Sequence, residues 1–176
     1  MGTRHLICVV NGGDYRIAQY GQWDGYPEGQ GAAILDFLKS PMAERLKKNL
    51  GNCTWITKDE YEKLWEEFGV DAKQKWIDND VYQDFCSKHP ELSRDTGAKI
   101  LGIVAGATGE IKLQNSLDFS QDSLFCEWAY VIDFDQNTFE IYQGFNETPL
   151  EESERFYTAD QKEDENGMYP VKLLKS

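Results

Sequence analysis

The tetrapeptide Asn11-Gly12-Gly13-Asp14 separates two apolar runs, 5–10 and 15–20. Two short strands around an Asn-Gly turn read as an antiparallel hairpin. That hairpin constrains the fold because the pattern behind it changes twice. Residues 32–39 carry Ile34, Leu35 and Leu38 at helical spacing. Ser40-Pro41 supplies a cap and a first helical position for a second helix through Met42, Leu46 and Leu50, closed by Gly51. Thr57 and Glu60 form a capping box, with Tyr61, Leu64, Trp65 and Phe68 on one face behind it. A further helix is expected over 76–89, stopped by Pro90. Another is expected from a Ser93 cap to about Gly106.

After Gly109 the period becomes that of strands. Segments 110–113, 124–134, 139–142, 155–158 and 168–174 alternate, and 135–138 reads as a tight turn. The order is strands, helices, strands. It predicts an α+β fold in which an N-terminal β-hairpin joins a C-terminal antiparallel meander with inserted helices. At 176 residues the chain suits a single domain, 1–176.

Composition narrows the function classes. A formal net charge of −13 argues against binding to a nucleic-acid backbone. It suits a cationic partner, mimicry of an acidic surface, or simple solvation. Much of the excess lies in 147–166. No apolar run is long enough for a membrane span or a signal peptide, so a cytoplasmic protein is expected. Four scattered cysteines without a Cys-x-x-Cys pair, and only two histidines, predict reduced thiols, no metal and no cofactor.

Residues 19–31, Gln-Tyr-Gly-Gln-Trp-Asp-Gly-Tyr-Pro-Glu-Gly-Gln-Gly, carry the candidate site. Gly29 and Gly31 open a helix, where free N–H groups can receive an anion; alternatively they are backbone punctuation. Neither a phosphate-binding P-loop nor a dinucleotide fingerprint is present. Asp24 between Trp23 and Gly25 suits a general acid or base; alternatively it makes an Asx turn or a cap. Trp23 and Tyr26 can stack on a ligand ring or serve as core aromatics. Arg4 can clamp a carboxylate or pair with Asp24. Thr3 is a nucleophile candidate, with His5 on the same strand face. Cys8 reads as an inert core thiol. Glu127, inside an otherwise apolar strand, needs a partner or water, and Arg4 or Arg16 could meet it; alternatively it lies on an exposed face.

Met1-Gly2-Thr3-Arg4, followed by Gln22-Trp23-Asp24-Gly25-Tyr26-Pro27, resembles a group of phage, bacterial and fungal proteins. These begin Met-small-Thr-Arg and carry a Trp/Phe-Asp-Gly-Tyr loop. The likeness extends to 93–97 and 125–133, and no activity is assigned to the group. The strand–hairpin–loop order is also similar to that of N-terminal-nucleophile hydrolases of the choloylglycine-hydrolase type. That resemblance implies a sandwich fold, a site aspartate at Asp24 and a nucleophile exposed by loss of Met1. The sequence departs from it at Gly2, where those enzymes need Cys, Ser or Thr. Thr3 therefore lacks a free α-amine to act as its base. Two functions are expected in consequence. One is a small hydrolase-like enzyme using Thr3, Arg4, Asp24 and Glu127. The other is a non-catalytic, inhibitor-like module binding a small molecule or a protein, either through a loop pocket with Trp23, Tyr26, Gly29 and Gly31 or through the acidic surface. A purely structural loop is the third reading.

Overall fold

The computed structural model describes residues 2–174. Strands β1 (His5–Asn11) and β2 (Asp14–Gly21) form the expected hairpin. Gly12 and Gly13 turn it at φ +66° and +80°, which only glycine adopts without strain. Helices α1 (Ala32–Leu38) and α2 (Met42–Asn49) follow, then β3 (Cys53–Trp55). Helix α3 (Lys58–Glu66) starts at the predicted capping box: the Glu60 N–H donates to the Thr57 hydroxyl and the Thr57 N–H to the Glu60 carboxylate, both at 3.2 Å. Next come α4 (Asn79–Lys88), α5 (Lys99–Ala105), β4 (Ile111–Leu113), β5 (Trp128–Asp133), β6 (Thr138–Gln143) and β7 (Lys172–Leu173).

The main sheet runs β2-β1-β5-β6-β7, and β3 pairs with β4 in a small parallel sheet. The fold is α+β, with the N-terminal hairpin joined to C-terminal antiparallel strands. The junction itself, β1 against β5, is parallel. Both faces of the sheet are covered. Ile7, Val9, Ile17, Tyr130 and Ile132 face Ile34, Leu46, Leu50 and Ile100 on the helices. Leu6, Cys8, Val10, Ala129 and Val131 pack under Leu150, Phe156 and Val171. The hydrolase resemblance would give that second face to another sheet; irregular chain covers it here. A third cluster, Trp65, Val70, Phe85 and Leu92, holds α3 to α4.

Several expected boundaries move. Ser93 does not cap α5: its hydroxyl accepts from the Asp95 N–H at 3.1 Å, and Gly97 at φ +56° delays the helix to Lys99. Residues 155–158 form a turn that directs Arg155 inward, where its guanidinium meets Asp133 at 2.7 Å and Glu140 at 2.8 Å. Strand β5 begins four residues later than expected, because a turn closed by the Cys126 N–H on the Asp122 carbonyl at 2.8 Å precedes it. Residues Cys53–Trp55 carry no alternation long enough to announce a strand.

Candidate functional site

The register brings the notable residues to one end of the sheet. Gly21, His5, Trp128 and Gln143 form a single row across β2, β1, β5 and β6. Beyond that row lie Thr3 and Arg4, the loop 22–26, residues 125–127, and Gly144-Phe145. All four candidate catalytic residues therefore share this end. Arg16 lies at the other end, by the hairpin turn, where it pairs with Asp14 at 3.9 Å.

The loop is fastened through its backbone. The Gly25 N–H donates to the Thr3 carbonyl at 3.0 Å and the Gln30 N–H to the Asp24 carbonyl at 2.8 Å. The Tyr130 hydroxyl donates to the Gly25 carbonyl at 2.6 Å, and burial pushes its pKa up, so it stays a donor. Trp23 Nε1 donates to Asp95 at 2.7 Å, while Gln30 bridges the Trp23 carbonyl and the Ala98 N–H. The segments 22–27 and 93–97, both quoted in the phage-protein resemblance, thus meet in space through Trp23 and Asp95.

Close approach explains the small residues here. A Cβ on Gly2 would stand 2.0 Å from the Gln22 carbonyl oxygen, and one on Gly29 would stand 2.4 Å from that of Asp24. Gly31 faces the Tyr130 ring, 3.1 Å from an added Cβ. Gly29 and Gly31 lie within a π-helical turn, Pro27–Gly31, that runs directly into α1. The Gly29 N–H already donates to the Tyr26 carbonyl at 2.9 Å. These glycines are placed for packing rather than for cradling an anion. Met1 lies outside the described residues.

His5 is sealed beneath the loop. It has no solvent exposure, and neither ring nitrogen finds a hydrogen-bond partner among the described residues. Burial lowers its pKa to about 4, although the nearby Thr3 backbone and the Asp24 charge act in the opposite direction. The imidazole is therefore neutral near pH 7. It cannot reach a substrate without the loop opening, so it does not activate Thr3 as placed.

Two residues at this end hold left-handed backbone. Asp24 has φ +55° and Phe145 has φ +53°. The conformation is tolerable for aspartate and costly for a bulky aromatic. At Phe145 the surroundings enforce it. Gly144 abuts the Cys126 carbonyl so closely that a Cβ would lie 2.1 Å away. The Phe145 N–H donates to the Ser123 carbonyl at 2.7 Å, and buried Asn146 ties Thr148 to the Pro170 carbonyl. Phe145 is nevertheless 53% exposed, and Phe125, at the same end of the sheet, is 46% exposed. The Arg4 guanidinium stands 5.3 Å from the Phe125 ring centre. Trp23 and Tyr26 are exposed as well, 45% and 41%, and so are not core aromatics.

The expected ion pairs do not form. The described salt bridges include neither Arg4, Asp24 nor Glu127. Glu127 precedes β5 rather than lying within it, and its carbonyl accepts from the Gly144 N–H at 2.9 Å. Cys8 is wholly buried, and burial pushes its thiol up to about 12, as an inert core thiol requires. Five prominent clefts among the described residues are lined by other side chains. No grouping of His, Cys, Asp and Glu among the described residues could hold a metal ion. No described helix is long and apolar enough to cross a membrane.

No known protein family, curated protein or solved structure matches this chain.

The site must therefore be read from its own geometry. Phe145 escaped the sequence reading, and Phe125 entered it only within the likeness over 125–133, not as a candidate site residue. Nothing in Gly144-Phe145-Asn146 marks a left-handed phenylalanine, since the constraint comes from Cys126 and Ser123, some twenty residues earlier.

Proposed function

We propose that this chain is a non-catalytic binding module. It engages a protein partner with the sheet end carrying Arg4, Trp23, Asp24, Tyr26, Phe125 and Phe145. The observation that carries the reading is Phe145, an exposed aromatic ring on a strained backbone fixed by its surroundings. Strain of that kind persists where it serves a function. Exposed Trp, Tyr, Phe and Arg in fixed positions are the residues that anchor protein interfaces. The aromatic residues of this surface are exposed and none lines a prominent cleft among the described residues, which fits a protein surface better than a small molecule. Asp24 and Glu127 at its rim, with the charge of −13, favour a basic partner surface. The inhibitor-like role and the phage-protein kinship belong to the same proposal.

Affinity capture tests it. The wild-type chain should recover a stoichiometric protein that Phe145→Gly fails to recover. Equal recovery by both would remove this surface from consideration. A hydrolase-like site built from Thr3, Arg4, Asp24 and Glu127 is the second reading, supported by their shared sheet end. Its N-terminal-nucleophile form requires a mature terminus at Thr3. Intact-protein mass spectrometry showing Gly2 retained would exclude that form.

A further inference from the structure

The seam between the α3–α4 unit and the main sheet holds a cleft of about 260 Å³. One wall is aromatic. Trp65 stacks on Phe85 with ring centres 3.7 Å apart, and Tyr82 lies nearly parallel to Trp65 at 6.3 Å. Tyr61 meets both Trp65 and Phe85 edge to face. The facing wall comes from β2 and the segment after β4. There Gln19 is held by its Nε2 donating to the Ser93 carbonyl at 3.2 Å, beside Gln114.

The charge of this cleft is unlike that of the chain. Arg94 is its one charged lining residue, and no Asp or Glu lines it. Each of the other four clefts is lined by at least one carboxylate. In a protein of net charge −13, a cleft with a lone cation stands out. The Arg94 guanidinium lies 5.6 Å from the Tyr82 ring centre, and no described salt bridge engages it. Its neighbour Asp95 already accepts from Trp23 Nε1. Burial raises the Tyr82 pKa to about 12, so that hydroxyl adds no competing negative charge.

We propose that this cleft binds a small planar aromatic or heteroaromatic anion. The ring would lie against Trp65 and Tyr82. Its carboxylate or phosphate would meet Arg94, and its polar edge would meet the amides of Gln19 and Gln114. Flat apolar walls with a few converging polar groups are the usual make-up of such a site. Arginine recognises either anion through two parallel N–H donors. The cleft adjoins the loop, since the Gln22 N–H donates to the Arg94 carbonyl, but it shares no lining residue with the proposed protein-binding sheet end and does not rest on that proposal.

Indole-acetate and adenosine monophosphate are suitable probes, with uncharged indole-acetamide and adenosine as controls. Titration would follow the Trp65 indole N–H resonance by NMR, assigned by comparison with Trp65→Phe. At least one anion should shift it saturably and bind at least about tenfold more tightly than its uncharged control, the ratio expected of a charged hydrogen bond. Arg94→Gln alters an exposed side chain, so the fold should survive. It should abolish that preference while leaving the control unchanged. The proposal is overturned if neither anion shifts the resonance at about ten times the concentration typical of weak, millimolar binding. It is also overturned if charged and uncharged probes bind alike, or if Arg94→Gln keeps the preference. A preference for the carboxylate or for the phosphate distinguishes the two sources of anion.

Discussion

The imidazole of His5 lies so close to Gly21 that a Cβ there would come within 2.1 Å of the ring. The two residues are also register partners across β1 and β2. His5 is fully buried, and Gly25 closes against the imidazole as well, where an added Cβ would stand 3.0 Å from Nδ1. Gly21→Ala should therefore cost about 2 kcal/mol or more by overpacking. In a His5→Ala background the added methyl enters the vacated space, and its cost should fall below about 1 kcal/mol. Urea denaturation of the four proteins in the cycle measures the difference. Equal costs in both backgrounds would show that the contact does not dictate Gly21.

The same burial sets a pH dependence. His5 titrates at about 4 in the folded protein against 6.5 as its ordinary value. Between those values the unfolded chain binds a proton that the folded chain refuses. Stability should thus be full above pH 6.5 and fall as pH drops through the window to 4. The total loss is roughly 3 kcal/mol, at about 1.4 kcal/mol per pKa unit. Replacing His5 with glutamine should flatten that slope. NMR provides the direct check: the His5 ring resonances should not move between pH 8 and about pH 5. A midpoint near 6.5 would contradict the sealed environment.

Arg155 is clamped between two carboxylates. Its Nη2 reaches Asp133 at 2.7 Å and Glu140 at 2.8 Å, and Nε reaches Glu140 at 3.0 Å. Burial alone would raise both carboxyl pKa values. The Arg155 hydrogen bonds outweigh it and hold Asp133 and Glu140 below the usual range. With folded values depressed, this cluster stabilises above the ordinary carboxylate range and loses that contribution as pH falls through the folded values. Arg155→Met should leave the buried Asp133 carboxylate without a countercharge, held only by the Asp135 and Gln136 N–H groups, and cost roughly 3 kcal/mol at neutral pH. The deficit should shrink in acid, where the carboxylates become neutral. Thermal denaturation at pH 7 and pH 3 measures both.

The parts of the fold that follow local rules were legible in the sequence. Asn11-Gly12-Gly13-Asp14 dictates its hairpin, and Thr57 with Glu60 dictates its helix start, because each is decided within a few residues. Elements decided by distant contacts were not. Ser93 has the chemistry of a cap, yet Gly97 and its contact with Gln30 set where α5 begins. Residues 155–158 alternate like a strand, yet Arg155 is drawn inward by Asp133 and Glu140 from β5 and β6. The same division runs through the site. Asp24 and its aromatic neighbours stood out by composition. The sealing of His5 between Gly21 and Gly25, and the strained backbone of Phe145, arise only from packing across strands.

Phe145 offers a test in which strain and recognition separate. Its φ of +53° costs any side chain bearing a Cβ, whereas glycine adopts it freely. Phe145→Gly and Phe145→Ala both remove the ring, so both lose its partial packing equally. The difference between them isolates the backbone term. Phe145→Gly should be more stable than Phe145→Ala by about 1 kcal/mol, a figure that already includes glycine's greater freedom when unfolded. Guanidinium denaturation measures that gap. If the ring serves binding, both variants should lose partner capture to the same degree despite their unequal stability. A purely structural role predicts instead that capture follows stability, with the glycine variant closer to wild type. The two outcomes cannot be confused, because stability and capture are read independently on the same pair of proteins.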